Sequence, residues 1–146
     1  MGHVAGPRDA AVPSAEEIER VVTGFLAAVD AGDRALLGES FDPEATMYFP
    51  FDDTPDLVAG RAAILERFDR LFAAWQRRGV ATPYVGFAPK QLQTHGAGPG
   101  HALATFTVGI EGAPGRRSVL LRRSAAGWKI LHLHASNLRP RADGGG

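Results

Sequence analysis

Apolar residues in the first half of the chain recur at the spacing of α-helices. A first helix is predicted from Ser14, whose side chain is placed to form a capping box with Glu17, to a glycine stop at Gly32. Asp33 is placed to cap a short second helix, and a third amphipathic helix follows Gly60. The charged residues of the third helix are predicted to face largely outward: Arg61, Glu66, Arg67, Asp69 and Arg70.

The hydrophobic period changes to two in the second half of the chain. Four strands are predicted, at residues 84–95, 101–111, 116–123 and 128–138. Short glycine-containing turns separate them, which is typical of an antiparallel meander. An earlier short strand at residues 45–50 follows a predicted turn, Phe41-Asp42-Pro43-Glu44. Helices followed by a meander predict an α+β fold, with helices on one face of a curved antiparallel sheet.

The last predicted strand combines aromatic, aliphatic, imidazole and hydroxyl side chains. Strict alternation places them on one face: Trp128, Ile130, His132, His134 and Ser136. Such a face, apolar at its start and polar at its end, is typical of one wall of a pocket.

The tight turns allow the strand register to be predicted as well. If Arg123 lies opposite Trp128, then Leu121 pairs with Ile130, and Arg117 lies beside His134. The same register adds further residues to this wall: Val119 beside His132, and Phe106, Val108 and Ile110 if Glu111 pairs with Arg116. The wall is therefore predicted to carry Arg117 and His134 together at its polar end.

Composition narrows the class of protein. The 146 residues, 45% of them hydrophobic, suit one domain at residues 14–138 between mobile tails at 1–13 and 139–146. Sixteen basic and sixteen acidic residues cancel, so no net charge attracts nucleic acid or an anionic membrane. The absence of cysteine excludes disulfides and thiolate metal sites. With no apolar run that could span a bilayer and no signal pattern, we expect a cytoplasmic protein.

Three segments carry a resemblance to a known family. They are Ala-Gly-Asp at residues 31–33, Val-Ala-Gly-Arg-Ala-Ala-Ile at 58–64, and the ending Gly-Trp-Lys-Ile-Leu-His-Leu-His-Ala-Ser at 127–136. With the order of elements, they resemble the nuclear transport factor 2-like superfamily, and within it the SnoaL-like branch. The ending is also similar to the association domain of calmodulin-dependent kinase. The resemblance covers about residues 14–138.

The resemblance implies a ketosteroid isomerase-like cone, in which a bent sheet wraps around the helices and encloses a hydrophobic cavity. It also implies a homodimer formed through the sheet, and enzymes that use general acid-base chemistry without a cofactor. His132, His134 and Ser136 match the alternating ending of the family, and Tyr48 falls on a strand that commonly lines the cavity. No residue aligns with the catalytic aspartate of the cyclases and isomerases.

Each candidate residue has a chemical and a structural interpretation. His134 is a hypothetical general base, because imidazole titrates near neutral pH, or else a structural histidine. Tyr48 and Arg117 are placed to stabilise an oxyanion, or else they are a core aromatic and a solvated charge. The predicted substrate-binding residues are His132, Ser136, Trp128, Phe106, Val119 and Trp75. The two histidines lack a third ligand at matching spacing, so no metal is expected.

These observations predict a small cofactor-independent enzyme that catalyses cyclisation, isomerisation or dehydration. Its expected substrate is a hydrophobic, polyketide-like or cyclic small molecule, as in bacterial secondary metabolism. One alternative is a non-catalytic small-molecule-binding or protein-interaction module of the same fold. A lesser alternative is an epoxide-hydrolase-like activity, which would require Asp30, Asp33 or an aspartate of the 52–56 loop in the cavity.

Overall fold

The computed structural model describes residues 14–110 and 113–138, so the predicted tails at 1–13 and 139–146, and Glu111, lie outside the described residues. The helices are α1 (Ala15–Ala31), α2 (Arg34–Ser40) and α3 (Arg61–Arg77). The strands are β1 (Phe41–Tyr48), β2 (Val58–Ala59), β3 (Lys90–Gly96), β4 (His101–Ile110), β5 (Ala113–Ser124) and β6 (Gly127–Asn137). The α+β class predicted from the sequence is confirmed.

The helix ends follow from the capping residues. Ser14 accepts a hydrogen bond from the backbone of Glu17, whose carboxylate accepts one from the backbone of Ser14, so the predicted capping box is confirmed. Gly32 ends α1 in the left-handed conformation with a φ of 65°. Asp33 caps α2 through the backbone N–H of Leu36. Local sequence therefore determines these boundaries.

The six strands form one curved sheet in the order β2-β1-β6-β5-β4-β3. The meander from β3 to β6 is antiparallel, as predicted, whereas β1 pairs with β6 in parallel. The predicted turn at residues 41–44 is wrong, since these residues begin β1, with an irregular register between Phe41 and Thr46. Asp42 is buried there and receives a bidentate hydrogen bond from Arg122 on β5.

One face of the sheet, here called the inner face, packs against the helices to form the core. Its buried side chains are Met47, Ala102, Ala104, Phe106, Val108, Arg117, Val119, Leu121, Trp128, Ile130, Leu133 and Ala135. Between this face and the helices, the rings of Phe25 of α1, Phe68 of α3 and Phe41 of β1 pack together, with centroids 5.7 to 6.4 Å apart. The opposite face, here called the outer face, carries Tyr48, His132 and His134.

A β-bulge at Leu131 reverses the alternation of β6. Leu121 pairs with Ile130, but the next residue of β5, Leu120, pairs with His132, so Leu131 has no partner on β5. Trp128 and Ile130 therefore point to the inner face, and after the bulge Leu133 and Ala135 take their place. The predicted single face of Trp128, His132, His134 and Ser136 is wrong for this reason.

The buried position of Arg67 also differs from the sequence-based expectation of an outward charge. Its side chain is 9% exposed, and its guanidinium lies 4.6 Å from the ring centroid of Phe51. Its Nε donates to Thr54 at 2.7 Å and its Nη2 to Asp53 at 3.1 Å. Arg67 thus holds the acidic 52–56 loop against α3, with its aliphatic stem in the core.

Among the described residues, no helix combines the length and the hydropathy needed to cross a membrane.

Candidate functional site

A charged side chain, Arg117, lies on the inner face at the end of the sheet where β6 ends. It pairs with Phe106 on β4 and Ala135 on β6, and all three are buried. Its Nη1 donates to the carbonyls of Arg116 and Ser136, at 3.0 and 3.2 Å, and to Asn137 Oδ1 at 3.0 Å. The surrounding β-structure therefore fixes the position of the guanidinium.

The charge of Arg117 is not neutralised within the described part of the chain. All three acceptors of its hydrogen bonds are uncharged, and no ion pair involves it among residues 14–110 and 113–138. Burial lowers the pKa of Arg117 to about 10, so the cation is destabilised by desolvation yet fully charged at neutral pH. A buried charge without a counter-ion is a marker of a functional site.

The neighbours of Arg117 on the inner face are apolar. Phe106 and Val119 lie on β4 and β5, and Leu133 and Ala135 on β6, each with at most 4% of its surface exposed. Phe106 and Val119, predicted to share a face with Arg117, do so. Within the described residues, this part of the inner face contains neither a carboxylate nor an imidazole.

The predicted partners of Arg117 lie on the other side of the sheet. Arg117 pairs with Ala135, not with His134, because the bulge shifts the register by one residue. His134 pairs with Ser118 of β5 and with Tyr48 of β1, on the outer face. The predicted catalytic group of His134, Tyr48 and Arg117 is thus divided between the two faces.

Tyr48, His132 and His134 form a compact cluster on the outer face. The ring centroid of Tyr48 lies 5.9 Å from that of His132 and 5.3 Å from that of His134. Thr46 Oγ1 lies 2.7 Å from His132 Nδ1, a hydrogen bond that orients this imidazole. Tyr48 and His134 are exposed, whereas His132 is half-buried.

The environment of His132 lowers its pKa below the ordinary value of 6.5, first through burial and then through the charge of His134, with the Thr46 hydrogen bond opposing. As the pH falls below 6.5, the unfolded chain takes up a proton that the folded chain binds less well. We therefore expect the free energy of unfolding to fall with pH from about 6.5 downward.

Denaturant unfolding at a series of pH values between about 7.5 and 5 measures this effect. The decrease should be smaller in His132→Gln. His95→Gln, a substitution at an exposed position of β3, is the matched control and should keep the wild-type slope. Equal slopes in all three proteins would contradict the assigned environment of His132.

The other predicted substrate-binding residues lie in separate places. Trp128 is buried near the β5–β6 turn with Arg123 over its ring, and its Nε1 has no hydrogen-bond partner among the described residues. Trp75 stacks on Tyr84 with ring centroids 4.8 Å apart. Ser136 lies beyond the bulge and is paired with Arg116. Of the predicted site residues, Arg117, Phe106 and Val119 thus lie together at one end of the inner face.

Asp30 holds the segment that precedes β3. Its two carboxylate oxygens accept hydrogen bonds from the backbone N–H groups of Val85, Gly86 and Phe87, each at 2.9 Å. Asp33 caps α2, and Asp53 accepts from Thr54 and Arg67. These three aspartates therefore have structural roles, and the epoxide-hydrolase alternative gains no carboxylate from them.

A surface cleft of about 530 Å³ lies between α2, the start of β1 and the β5–β6 turn. Two cations at this cleft bind backbone carbonyls at the end of α2: Lys129 Nζ donates to Glu39 at 2.7 Å, and Arg61 Nη1 to Phe41 at 3.4 Å. Cations at a helix C-terminus stabilise the unpaired carbonyls there. Lys129 and Arg61 thus have structural roles at this cleft.

Among the residues that the structure describes, no three histidine, aspartate or glutamate side chains are grouped closely enough to hold a metal ion.

The comparisons with known proteins agree with this architecture. The chain belongs to the SnoaL-like domain family, whose pattern it matches over residues 22–132. No curated protein gives a significant match.

Solved structures share the fold at low sequence identity. A candidate dehydratase of the NTF2-like family from Streptomyces avermitilis has a TM-score of 0.69 at 21% identity, over 86% of this chain and 96% of its own. A candidate ketosteroid isomerase from Parabacteroides distasonis has a TM-score of 0.67 at 16% identity, over 91% and 94%. The CaMKII hub of S. rosetta has a TM-score of 0.67 at 20% identity, over 87% and 100%. These structures show that the fold is shared, and the SnoaL-like resemblance seen in the sequence is confirmed by the family match over residues 22–132.

Proposed function

We propose that this protein binds a small, largely apolar molecule on the inner face of its sheet, with the polar end of that molecule beside Arg117. The observation that carries this proposal is the buried guanidinium of Arg117, a lone uncompensated charge among apolar neighbours in the described part of the face. Binding sites for small molecules combine such apolar walls with a few fixed polar groups. A cyclic or polyketide-like molecule has the matching character.

Methyl NMR signals test the place of binding. On titration with 2-tetralone, a small apolar ketone, we expect the signals of Val119 and Leu133 on the inner face to shift in a saturable way. Leu103 and Leu120, paired with each other on the outer face, provide the internal control and should not respond. Shifts confined to the outer-face signals, or none at all, would contradict the proposal.

Proton transfer without a cofactor is the second candidate, as in an isomerase, cyclase or dehydratase. It is supported by the names of the NTF2-like relatives and by the position of Arg117, whose charge would stabilise a developing enolate oxygen. His134 lies on the outer face and the described inner-face residues near Arg117 supply no proton acceptor, so in this proposal solvent water takes the α-proton. A bacterial secondary-metabolic role and a cytoplasmic location remain part of the same proposal.

Hydrogen–deuterium exchange at the α-carbon of 2-tetralone in D₂O, followed by proton NMR, tests this second candidate. The protein should accelerate exchange, and Arg117→Gln should reduce the acceleration by about 100-fold, a typical cost of removing one oxyanion donor. Arg116→Gln, at the exposed neighbouring position, is the matched control. An exchange rate equal to that in buffer would contradict catalysis of proton transfer and would leave binding as the proposed function.

We further propose that a second copy of the chain covers the outer face. Two rows cross four strands there, one with Leu103, Leu120, His132 and Thr46, the other with Thr105, Ser118, His134 and Tyr48. Neither row carries a formal charge when the histidines are neutral. In a dimer with a two-fold axis, each row would lie against the same row of the second copy. Such an arrangement would be unfavourable if the row carried like charges.

Tyr48→Glu and His134→Glu are expected to convert the dimer to a monomer without unfolding it, because both positions are exposed in the single chain. Light scattering measures the mass, and circular dichroism checks the fold. Ala27→Glu, on the exposed side of α1, adds the same charge elsewhere and should leave the dimer intact. A monomeric wild-type protein would contradict the proposal.

A further inference from the structure

We propose that the molecule bound on the inner face carries a carboxylate, and that this carboxylate binds side-on to the Nε and Nη2 atoms of Arg117. This inference rests on the proposed small-molecule site and specifies the chemistry of its ligand. It distinguishes an acid from a neutral ketone or alcohol of the same shape.

The hydrogen bonds of Arg117 leave one edge of the guanidinium available. The three acceptors of Arg116, Ser136 and Asn137 all bind the same atom, Nη1. Within residues 14–110 and 113–138, Nε and Nη2 have no acceptor. These two atoms form the edge of the guanidinium that matches the spacing of two carboxylate oxygens.

The same chain shows what that edge binds when a carboxylate is in reach. Arg122 donates from Nε to Asp42 Oδ2 at 3.1 Å and from Nη2 to Asp42 Oδ1 at 2.9 Å. Arg117 lies on the same strand, is more deeply buried than Arg122, and lacks such a partner in the described chain. A ligand carboxylate would complete the same side-on arrangement.

Access and burial are both consistent with a ligand that enters from outside. Arg117 keeps 9% of its surface exposed, so the residue is largely buried but still reaches solvent. An ion pair formed in such a place is screened less by salt than one on the surface.

A carboxylate explains the charge better than a neutral oxygen does. The desolvation that lowers the pKa of Arg117 is offset by an anion, because opposite charges close together favour the ionised forms of both. A neutral carbonyl oxygen would accept hydrogen bonds from the guanidinium but would leave its positive charge uncompensated. The apolar neighbours Phe106, Val119 and Leu133 then suit the remainder of the acid.

Calorimetry with 2-naphthoate and its neutral analogue 2-naphthamide tests the inference. The acid should bind at least about 30-fold more tightly than the amide. Arg117→Gln should remove this preference, whereas Arg117→Lys, which keeps the charge but loses the side-on geometry, should retain part of it. Arg116→Gln, on the exposed side of the same strand, should leave both affinities unchanged.

A competing carboxylate within the chain is tested by Glu111→Gln, since Glu111 is the acidic residue closest to Arg117 in sequence. If Glu111 already neutralised Arg117, this substitution would tighten naphthoate binding, and the inference would be overturned. We expect the affinity of Glu111→Gln to equal that of the wild type.

Two outcomes separate this inference from the proposed site itself. Equal binding of acid and amide would overturn the carboxylate and leave the apolar site standing. If neither aromatic ligand binds, the proposed site fails, and the carboxylate is then tested with acetate alone. Acetate should shift the Nε–H NMR signal of Arg117 in a saturable way, and an unchanged signal would overturn the inference.

Discussion

Replacement of Leu133 with lysine is expected to abolish the native fold at room temperature. Because the bulge at Leu131 sets the orientation of the rest of β6, Leu133 is fully buried on the inner face, whereas strict alternation from Trp128 would place it on the outer face. Loss of a buried leucine side chain costs about 2 to 5 kcal/mol, and an unpaired charge buried in its place costs several kcal/mol more. Their sum approaches the total stability of an ordinary domain, about 5 to 15 kcal/mol.

Circular dichroism and denaturant unfolding measure this effect. His134→Lys provides the matched control, because it places the same charge at the next position, which is exposed on the outer face. It should change the free energy of unfolding by less than about 1 kcal/mol and leave the fold intact. A Leu133→Lys variant that folds with wild-type stability would show that the bulge does not determine which residues face the core.

Replacement of Asp30 with alanine is expected to lower the free energy of unfolding by about 2 to 4 kcal/mol. The carboxylate accepts three backbone hydrogen bonds, and each bond to a charged group contributes about 1.5 to 3 kcal/mol, less where water can replace it. The adjoining Tyr84 should also lose its position, because its ring lies between Trp75 and the end of α1. A Cβ at Gly32 would lie 3.0 Å from that ring.

Denaturant unfolding measures the stability of Asp30→Ala, and amide hydrogen exchange at Val85, Gly86 and Phe87 reports on the segment directly. Exchange at these three amides should accelerate, whereas amides in β5 should be affected only through the loss of global stability. Asp56→Ala, at an exposed position of the 52–56 loop, is the control for loss of an acidic residue. Unchanged protection at Val85–Phe87 would contradict the role of Asp30.

Short-range rules were sufficient for the helix ends and for most of the meander, although the first strand of the meander begins at Lys90 and not at the predicted residue 84. The capping box at Ser14 and the glycine at position 32 are local features, and both act as predicted. The register of the β5–β6 hairpin is also correct near its turn, where Arg123 pairs with Trp128 and Leu121 with Ile130. Up to that point, each pairing depends only on the length of the turn.

The candidate site could not be predicted to the same extent, because one extra residue changes every later pairing. Nothing in Lys129-Ile130-Leu131-His132 distinguishes a bulge from regular alternation, since both put an aliphatic residue toward the core. One signal in the sequence was available: Leu133 and Ala135 offer an apolar face, whereas the alternative face buries two histidines. The cost of burying two imidazoles therefore favours the observed orientation, in which Leu133 and Ala135 face the core.

The burial of Arg67 could not be predicted from the sequence for a related reason. On a helical projection it lies beside the apolar stripe, and a charge there normally remains in solvent. Its burial depends on partners from a distant loop, Asp53 and Thr54, and on the rings of Phe49 and Phe51. Local periodicity contains no information about such tertiary contacts.

The affinity of 2-naphthoate for Arg117→Gln, set beside that for His134→Gln, tests most directly whether the functional end of the molecule is the inner face. Both substitutions remove a titratable side chain from the same end of the sheet, but from opposite faces. We predict that Arg117→Gln weakens binding by at least about 30-fold and that His134→Gln leaves it unchanged. Weakened binding in His134→Gln with wild-type affinity in Arg117→Gln would contradict a functional inner face.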